Sequence, residues 1–177
     1  SWLLSTAQDK ATGSPLPSAA SYGGVEYTAG TADYRLAKFK AELPSYMEKD
    51  AVLFYYLFTE LFLMVDSRAK NAFPTAFLSG GGKWFSLPYD FDTAIGINNE
   101  GSLVFGYDLE DIDTIDGGAD VYNGQQSVLW TNIRQAFFDD IRTMYQKLRS
   151  TGARSYADTE GRFEEHQRKW LEAVFNE

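Results

Sequence analysis

Residues 54–73 read FYYLFTELFLMVDSRAKNAF, and residues 83–96 read KWFSLPYDFDTAIG. The first stretch lies in an apolar run, residues 51–65, interrupted only by Thr59 and Glu60. Apolar residues nearly all round a helix mark one buried at the centre of a domain. The run is too short to span a bilayer. Ser45 and Glu48 have the spacing of a capping box at its start, and the helix is expected to end near residues 65–66, delivering Asp66. Asn71 follows Asp66 at D-x-x-x-x-N spacing. Asp90 and Asp92 then sit in a turn that leaves a strand.

Phosphoryl transfer uses this set of groups. One carboxylate orients or deprotonates the attacking hydroxyl, while an amide and a further carboxylate hold the Mg²⁺ that bridges the phosphates. The competing reading is purely local: Asp66 caps a helix end, and Asp90 and Asp92 cap a turn. The spacing alone leaves both open.

Composition narrows the rest. The 177 residues carry 25 acidic and 16 basic side chains, a formal charge of −9, so a face gripping nucleic acid through its phosphates is not expected. An anionic membrane surface is disfavoured for the same reason. Cysteine is absent and His166 is the single histidine, which removes disulfides, thiolate zinc sites, cysteine nucleophiles and multi-histidine metal centres. His166 lies among charges (FEEHQRKW) and reads as solvated or ion-paired. The chain opens Ser-Trp-Leu-Leu, with neither an initiating Met nor a basic signal segment, and reads as a piece of a longer protein.

Outward from the central block, residues 5–31 are rich in Ser, Thr, Gly, Ala and Pro and read as loop, with a short hairpin around residues 25–27. Thr31 caps a helix that places Leu36, Phe39 and Leu43 on one face and stops at Pro44. Residues 72–78 and 83–88 flank Ser79-Gly80-Gly81-Gly82 as a hairpin. That glycine run lacks the Gly-Lys-Ser/Thr ending of a phosphate loop and precedes a strand. Residues 89–107 read as turn, loop and a further short strand. The acidic loop 108–120 (DLEDIDTIDGGAD) departs from EF-hand spacing and reads as solvated, with a divalent-cation site as the second reading. Trp130, Ile133, Phe137, Ile141, Met144 and Leu148 predict one helix of about five turns, closed by Gly152. A last helix starts near Ser155 and turns Phe163, Trp170 and Val174 inward. The whole is α+β, helix-dominated, with a small antiparallel sheet and long C-terminal helices.

The central block resembles the CotH kinase family of spore-coat kinases. That family reads roughly YYLxNEL…VD…KN, then a hairpin with GK, then P-[WY]-D-x-D-x-x-x-G. Tyr55, Tyr56, Leu57, Glu60, Leu61, Asp66, Lys70, Asn71, Gly82, Lys83, Pro88, Asp90, Asp92 and Gly96 fall on those positions, with Tyr89 in place of the commoner Trp. The downstream stretch (INNEGSLVFGYDLEDID…GGADVYNGQQSVLW) resembles a narrower group, large minor structural proteins of tailed phages and prophages.

The first resemblance implies an atypical kinase-like core over residues 31–177, preceded by an irregular segment 1–30. It also implies ATP with Mg²⁺ or Mn²⁺ as cofactors of an active form, and Ser/Thr hydroxyls as acceptors. Asp66 would be the catalytic carboxylate. Asn71, Asp90 and Asp92 would hold the metal, and Lys70 and Asn71 would meet the nucleotide. The glycine-rich cover and phosphate-binding cation of such a kinase have no counterpart in the residues before the central block: either that lobe lies upstream in a longer protein, or this version has lost it and keeps the fold as a structural element. The second resemblance implies a virion module, catalytically weak or inactive, found in the particle or in the bacterial cytoplasm during assembly. Its partners would be other virion proteins or other domains of a longer chain, without nucleic acid or membrane. Two alternatives stand beside it: an active Ser/Thr kinase lobe, and a host- or carbohydrate-binding tail module suggested by the aromatic content.

Overall fold

A computed structural model describes residues 2–3, 19–64, 67–68, 70–76, 81–97, 101, 127–151, 161–162, 164–165 and 168–169. The chain divides into two compact units, residues 1–138 and 139–177. The first unit opens with an antiparallel hairpin of β1 (Ala19–Tyr22) and β2 (Val25–Thr28). Gly23 and Gly24 both adopt positive φ, +59° and +81°, as a tight turn matching the strand twist requires.

Thr31 then caps α1 (Ala32–Tyr46), its hydroxyl oxygen accepting from the Tyr34 amide at 3.2 Å. Tyr34, Phe39 and Leu43 are buried on this helix, while Leu36 is half-buried. The helix does not stop at Pro44; it runs through it to Tyr46. In the last turn the missing proline N–H removes a single bond, and the Met47 amide closes the helix on the Leu43 carbonyl at 2.8 Å.

Because Ser45 is spent inside α1, the expected capping box does not form. The next helix, α2 (Lys49–Leu61), is capped at Glu48 without any side-chain bond. The Glu48 amide donates instead to the Trp84 carbonyl at 2.8 Å. α2 also ends earlier than its apolar pattern suggests. Leu63 takes the left-handed conformation (φ +46°), its amide donates to Glu60 at 3.2 Å, and the Met64 amide donates to Thr59 at 3.0 Å. Those two bonds form a Schellman stop with leucine where glycine is usual. Nor is α2 wholly buried. Val52, Leu53, Tyr55, Tyr56, Leu57 and Thr59 face the core, but Phe54 and Phe62 are 46% and 39% exposed.

A second antiparallel hairpin pairs β3 (Ala72–Ala76) with β4 (Trp84–Pro88), Ala72 opposite Pro88 and Ala76 opposite Trp84. Since the Trp84 carbonyl points outward to Glu48, the alternate residues Ser86 and Pro88, and Pro74 opposite Ser86, also direct their backbone groups away from the ladder. Pro74 and Pro88 therefore sacrifice no ladder bond. Gly81 and Gly82, at φ +90° and +71°, precede β4.

After a short 3-10 turn (Ala94–Gly96), the described chain resumes with α3 (Val128–Ala136) and α4 (Phe138–Ser150). The single helix expected here is two helices, because Phe137 leaves the helical range (φ −122°, ψ 22°). Its ring is buried, edge-on to Phe39 at 6.3 Å, with the Lys49 ammonium 5.1 Å from its centroid. Phe39, Leu43, Val52, Leu53 and Ile133 form the innermost core, contributed by α1, α2 and α3. In the second unit, Arg142 pairs with Asp139 at 3.2 Å and Lys169 with Glu165 at 2.7 Å. Gly152 lies outside the described residues, as do His166 and the inward-facing Phe163, Trp170 and Val174 of the expected last helix. The fold is helix-dominated α+β with two small antiparallel sheets. Among the described residues, no helix is long and apolar enough to cross a membrane.

Candidate active site

The link from α2 to β3 is held by polar tips of otherwise apolar helices. The Tyr55 hydroxyl donates to the Ser67 carbonyl at 2.7 Å, and the Trp130 indole N–H to the Arg68 carbonyl at 3.0 Å. A buried Tyr or Trp needs a partner for its polar atom, and both spend theirs on this link. The Arg68 side chain is 2% exposed and ion-paired with Glu60. Its guanidinium lies 4.3 Å from the Tyr56 ring centroid and donates to the Tyr56 carbonyl at 3.4 Å. Burial pushes the Tyr56 hydroxyl above its ordinary pKa; Glu60 adds to the rise, while Arg68 opposes it. The Ser67 hydroxyl is fully buried and has no hydrogen-bond partner among the described residues.

Tyr55, Tyr56 and Glu60 match family positions, and here they clamp the chain beside Asp66. Asp66 itself lies outside the described residues, as does the acidic loop 108–120. Its neighbours Met64 and Ser67 are both buried.

The hairpin supplies the other groups. Ala72 pairs with Pro88, so Asn71 and Tyr89 leave the ladder side by side, with Lys70 and Asp90 one step further. The loop after β4 is fastened at three points. Tyr89 packs edge-on against Phe73 (5.3 Å), Phe91 packs on Phe58 (5.7 Å), and the Ile95 amide donates to the Phe62 carbonyl at 2.6 Å. Asp90, between the fastened aromatics, and Asp92, just after Phe91, are exposed. Asp90 adopts φ +53°, a conformation Asp tolerates better than most residues.

Two carboxylates and an amide are hard oxygen donors of the kind that holds Mg²⁺ or Mn²⁺. Among the described residues, no three of His, Cys, Asp and Glu converge as a metal site. A Mg²⁺ site of one or two carboxylates completed by substrate phosphates is compatible with that.

The cations are distributed unevenly. Lys70 is exposed at the open end of the hairpin. Lys83 precedes β4 at the other end, about 17 Å away along a five-residue strand. Arg68 is spent on Glu60. The spacing of Trp130 in the sequence marks only a core face and does not disclose its role as an anchor. A separate cavity of about 400 Å³ opens between Trp2, Tyr46, Trp84, Leu129 and Trp130, with Arg68 in its wall. Neither Asn71, Asp90 nor Asp92 lines it.

No curated protein and no solved structure gives a significant match to the chain. A family profile described as CotH kinase protein matches residues 26–156, which take in most of β2, α1, α2, the β3–β4 hairpin, α3 and α4. The chain belongs to the CotH kinase protein family.

Proposed function

We propose that this CotH domain serves as a structural module of a phage or prophage particle, and that phosphoryl transfer is weak or absent in the chain. The disposition of the cations supports the second part. Transfer depends on positive charge around the moving phosphate, and the loss of one such contact can cost orders of magnitude in rate. Within residues 57–96, Arg68 is buried against Glu60 and Lys83 is at the far end of its strand. Lys70 is left to offset Asp90 and Asp92. The particle assignment rests on the downstream resemblance to phage minor structural proteins. It implies partners among other virion proteins or other domains of a longer chain, in the virion or in the bacterial cytoplasm during assembly.

A specific observation favours the kinase reading as the rival: Asn71 and Asp90 leave the hairpin at one end. In that reading Asp66 accepts the proton of a Ser/Thr hydroxyl as it attacks the terminal phosphate of ATP. Asn71, Asp90 and Asp92 hold the cation, and Lys70 and Asn71 orient the nucleotide. The cation would supply charge neutralisation at the phosphate oxygens.

The deciding assay is labelled ATP with Mg²⁺ or Mn²⁺ and a Ser-rich acceptor. The expected result is no incorporation above that of Asp66→Ala and Asp90→Ala. Incorporation that both substitutions abolish would make the chain a kinase.

A further inference from the structure

The outer face of α2 and its C-terminal cap carry Phe54, Phe58 and Phe62 at i, i+4 and i+8. Their rings are in contact, 6.1 Å and then 4.8 Å between centroids. Phe91 extends the strip from the loop after β4. Ile95, bonded through its amide to Phe62, adds a side chain that is 54% exposed. Contiguous exposed apolar surface of this kind marks interaction sites on soluble proteins.

Ile95 makes the case sharper. It sits at φ +63°, where a β-branched residue is a genuine outlier and carries a steric cost. Burial offsets that cost only in part, because the side chain is half-exposed. A half-exposed isoleucine at a strained position is accounted for by a contact outside the fold.

The charges around the strip select the occupant. Asp50 lies at the start of α2, and Asp90 and Asp92 flank Phe91, which packs on Phe58 about 12 Å further along for eight helical residues. Lys70, exposed at the same end of the hairpin as Asp90, offsets one of these charges and leaves the surround acidic. Lys49 turns its ammonium to buried Phe137 instead. A second copy of the chain is disfavoured, because it would bring the same net-acidic surround against itself. The aromatic row is also an i±4 ridge, the shape that packs into the groove of another helix.

We infer that this face docks a basic amphipathic helix of a partner protein, its apolar side on the phenylalanine ridge and its lysines or arginines near Asp50, Asp90 and Asp92. This goes beyond the proposed function and does not depend on whether the chain transfers phosphate.

The test uses a labelled helical peptide with leucines on one face and lysines on the other, and its glutamate-for-lysine counterpart. Binding to the full chain is followed by fluorescence anisotropy. The lysine peptide should bind at least about tenfold more tightly than the glutamate peptide, and more weakly as salt rises from about 0.05 to about 0.3 M. Phe54→Lys and Phe62→Lys should each weaken it about tenfold or more. Leu87→Lys, on the exposed hairpin face, should leave it unchanged, with thermal melts showing all three variants folded. Ile95→Gly should weaken binding without lowering the melting temperature. Equal binding of the two peptides, no binding of either, or an equal loss in Leu87→Lys would overturn the inference. Self-association of the chain that Phe54→Lys abolishes would assign the face to a second copy instead.

Discussion

Glu60 and Arg68 share an ion pair whose ends see different surroundings. The arginine side chain is buried and the glutamate is about one-third exposed. Removing one partner leaves a buried charge uncompensated, which costs on the order of 3 kcal/mol; replacing both with apolar groups of similar volume costs far less. Glu60→Ala should therefore destabilise the chain in urea unfolding much more than Glu60→Leu combined with Arg68→Met. Ser67→Ala should be neutral or stabilising by about 1 kcal/mol, since the buried hydroxyl it removes has no partner among the described residues. Clear destabilisation would mean the hydroxyl is satisfied after all. The tyrosines give a pH signature. Burial raises the Tyr56 hydroxyl above its usual value, and burial together with Tyr34 and Glu42 pushes Tyr22 up to about 12. The unfolded chain then loses these protons first, so stability is full below about pH 10 and falls as pH rises toward the folded values. A phenolate absorbance titration should show a late-titrating fraction that Tyr22→Phe removes in part. Of all these roles, the sequence made Tyr55, Tyr56 and Glu60 visible as matched positions but not as clamps. A clamp depends on which polar tip meets which carbonyl across 12 residues for Tyr55 and Ser67, or 62 for Trp130 and Arg68, and no periodicity records that.

α2 shows how far an apolar pattern can be read. The pattern identified the helix and its central place, but a run apolar on every side does not say which side the rest of the chain covers. Leu57 is buried and Phe54 half-exposed. Leu57→Ala should thus cost about 2–5 kcal/mol through the cavity it leaves, and Phe54→Ala less than about 1 kcal/mol; similar losses would contradict the two-faced helix. The stops were the least legible features. Leu63 ends α2 in a conformation glycine usually supplies, Pro44 sits harmlessly in a last turn, and Phe137 divides a continuous amphipathic pattern where its backbone leaves the helical range. Both β3 and β4, by contrast, were readable from aromatic runs flanking glycines. At the loop after β4, Ile95→Gly should raise stability by about 1 kcal/mol by relieving the left-handed strain, seen as a higher melting temperature.

Across the whole chain, a family fold is combined with an acidic end that carries few cations. The formal charge is −9, and of the basic groups within residues 57–96 Arg68 is spent, Lys83 is distant and Lys70 is left beside Asp90 and Asp92. Fold does not fix activity, so membership of a kinase-named family leaves the chemistry to the site. If the oxygen donors of Asn71, Asp90 and Asp92 form only the metal half of a phosphate site, metal and nucleotide binding should separate. Titration of the full chain with Mn²⁺, followed by the paramagnetic signal of the free ion, reads both halves in one experiment. Mn²⁺ should bind and be weakened by Asp90→Asn, while added ATP should bind no more tightly than about 1 mM. Micromolar ATP binding that requires Mn²⁺ and is lost in Asp90→Asn would contradict this account and show that the phosphate side is complete.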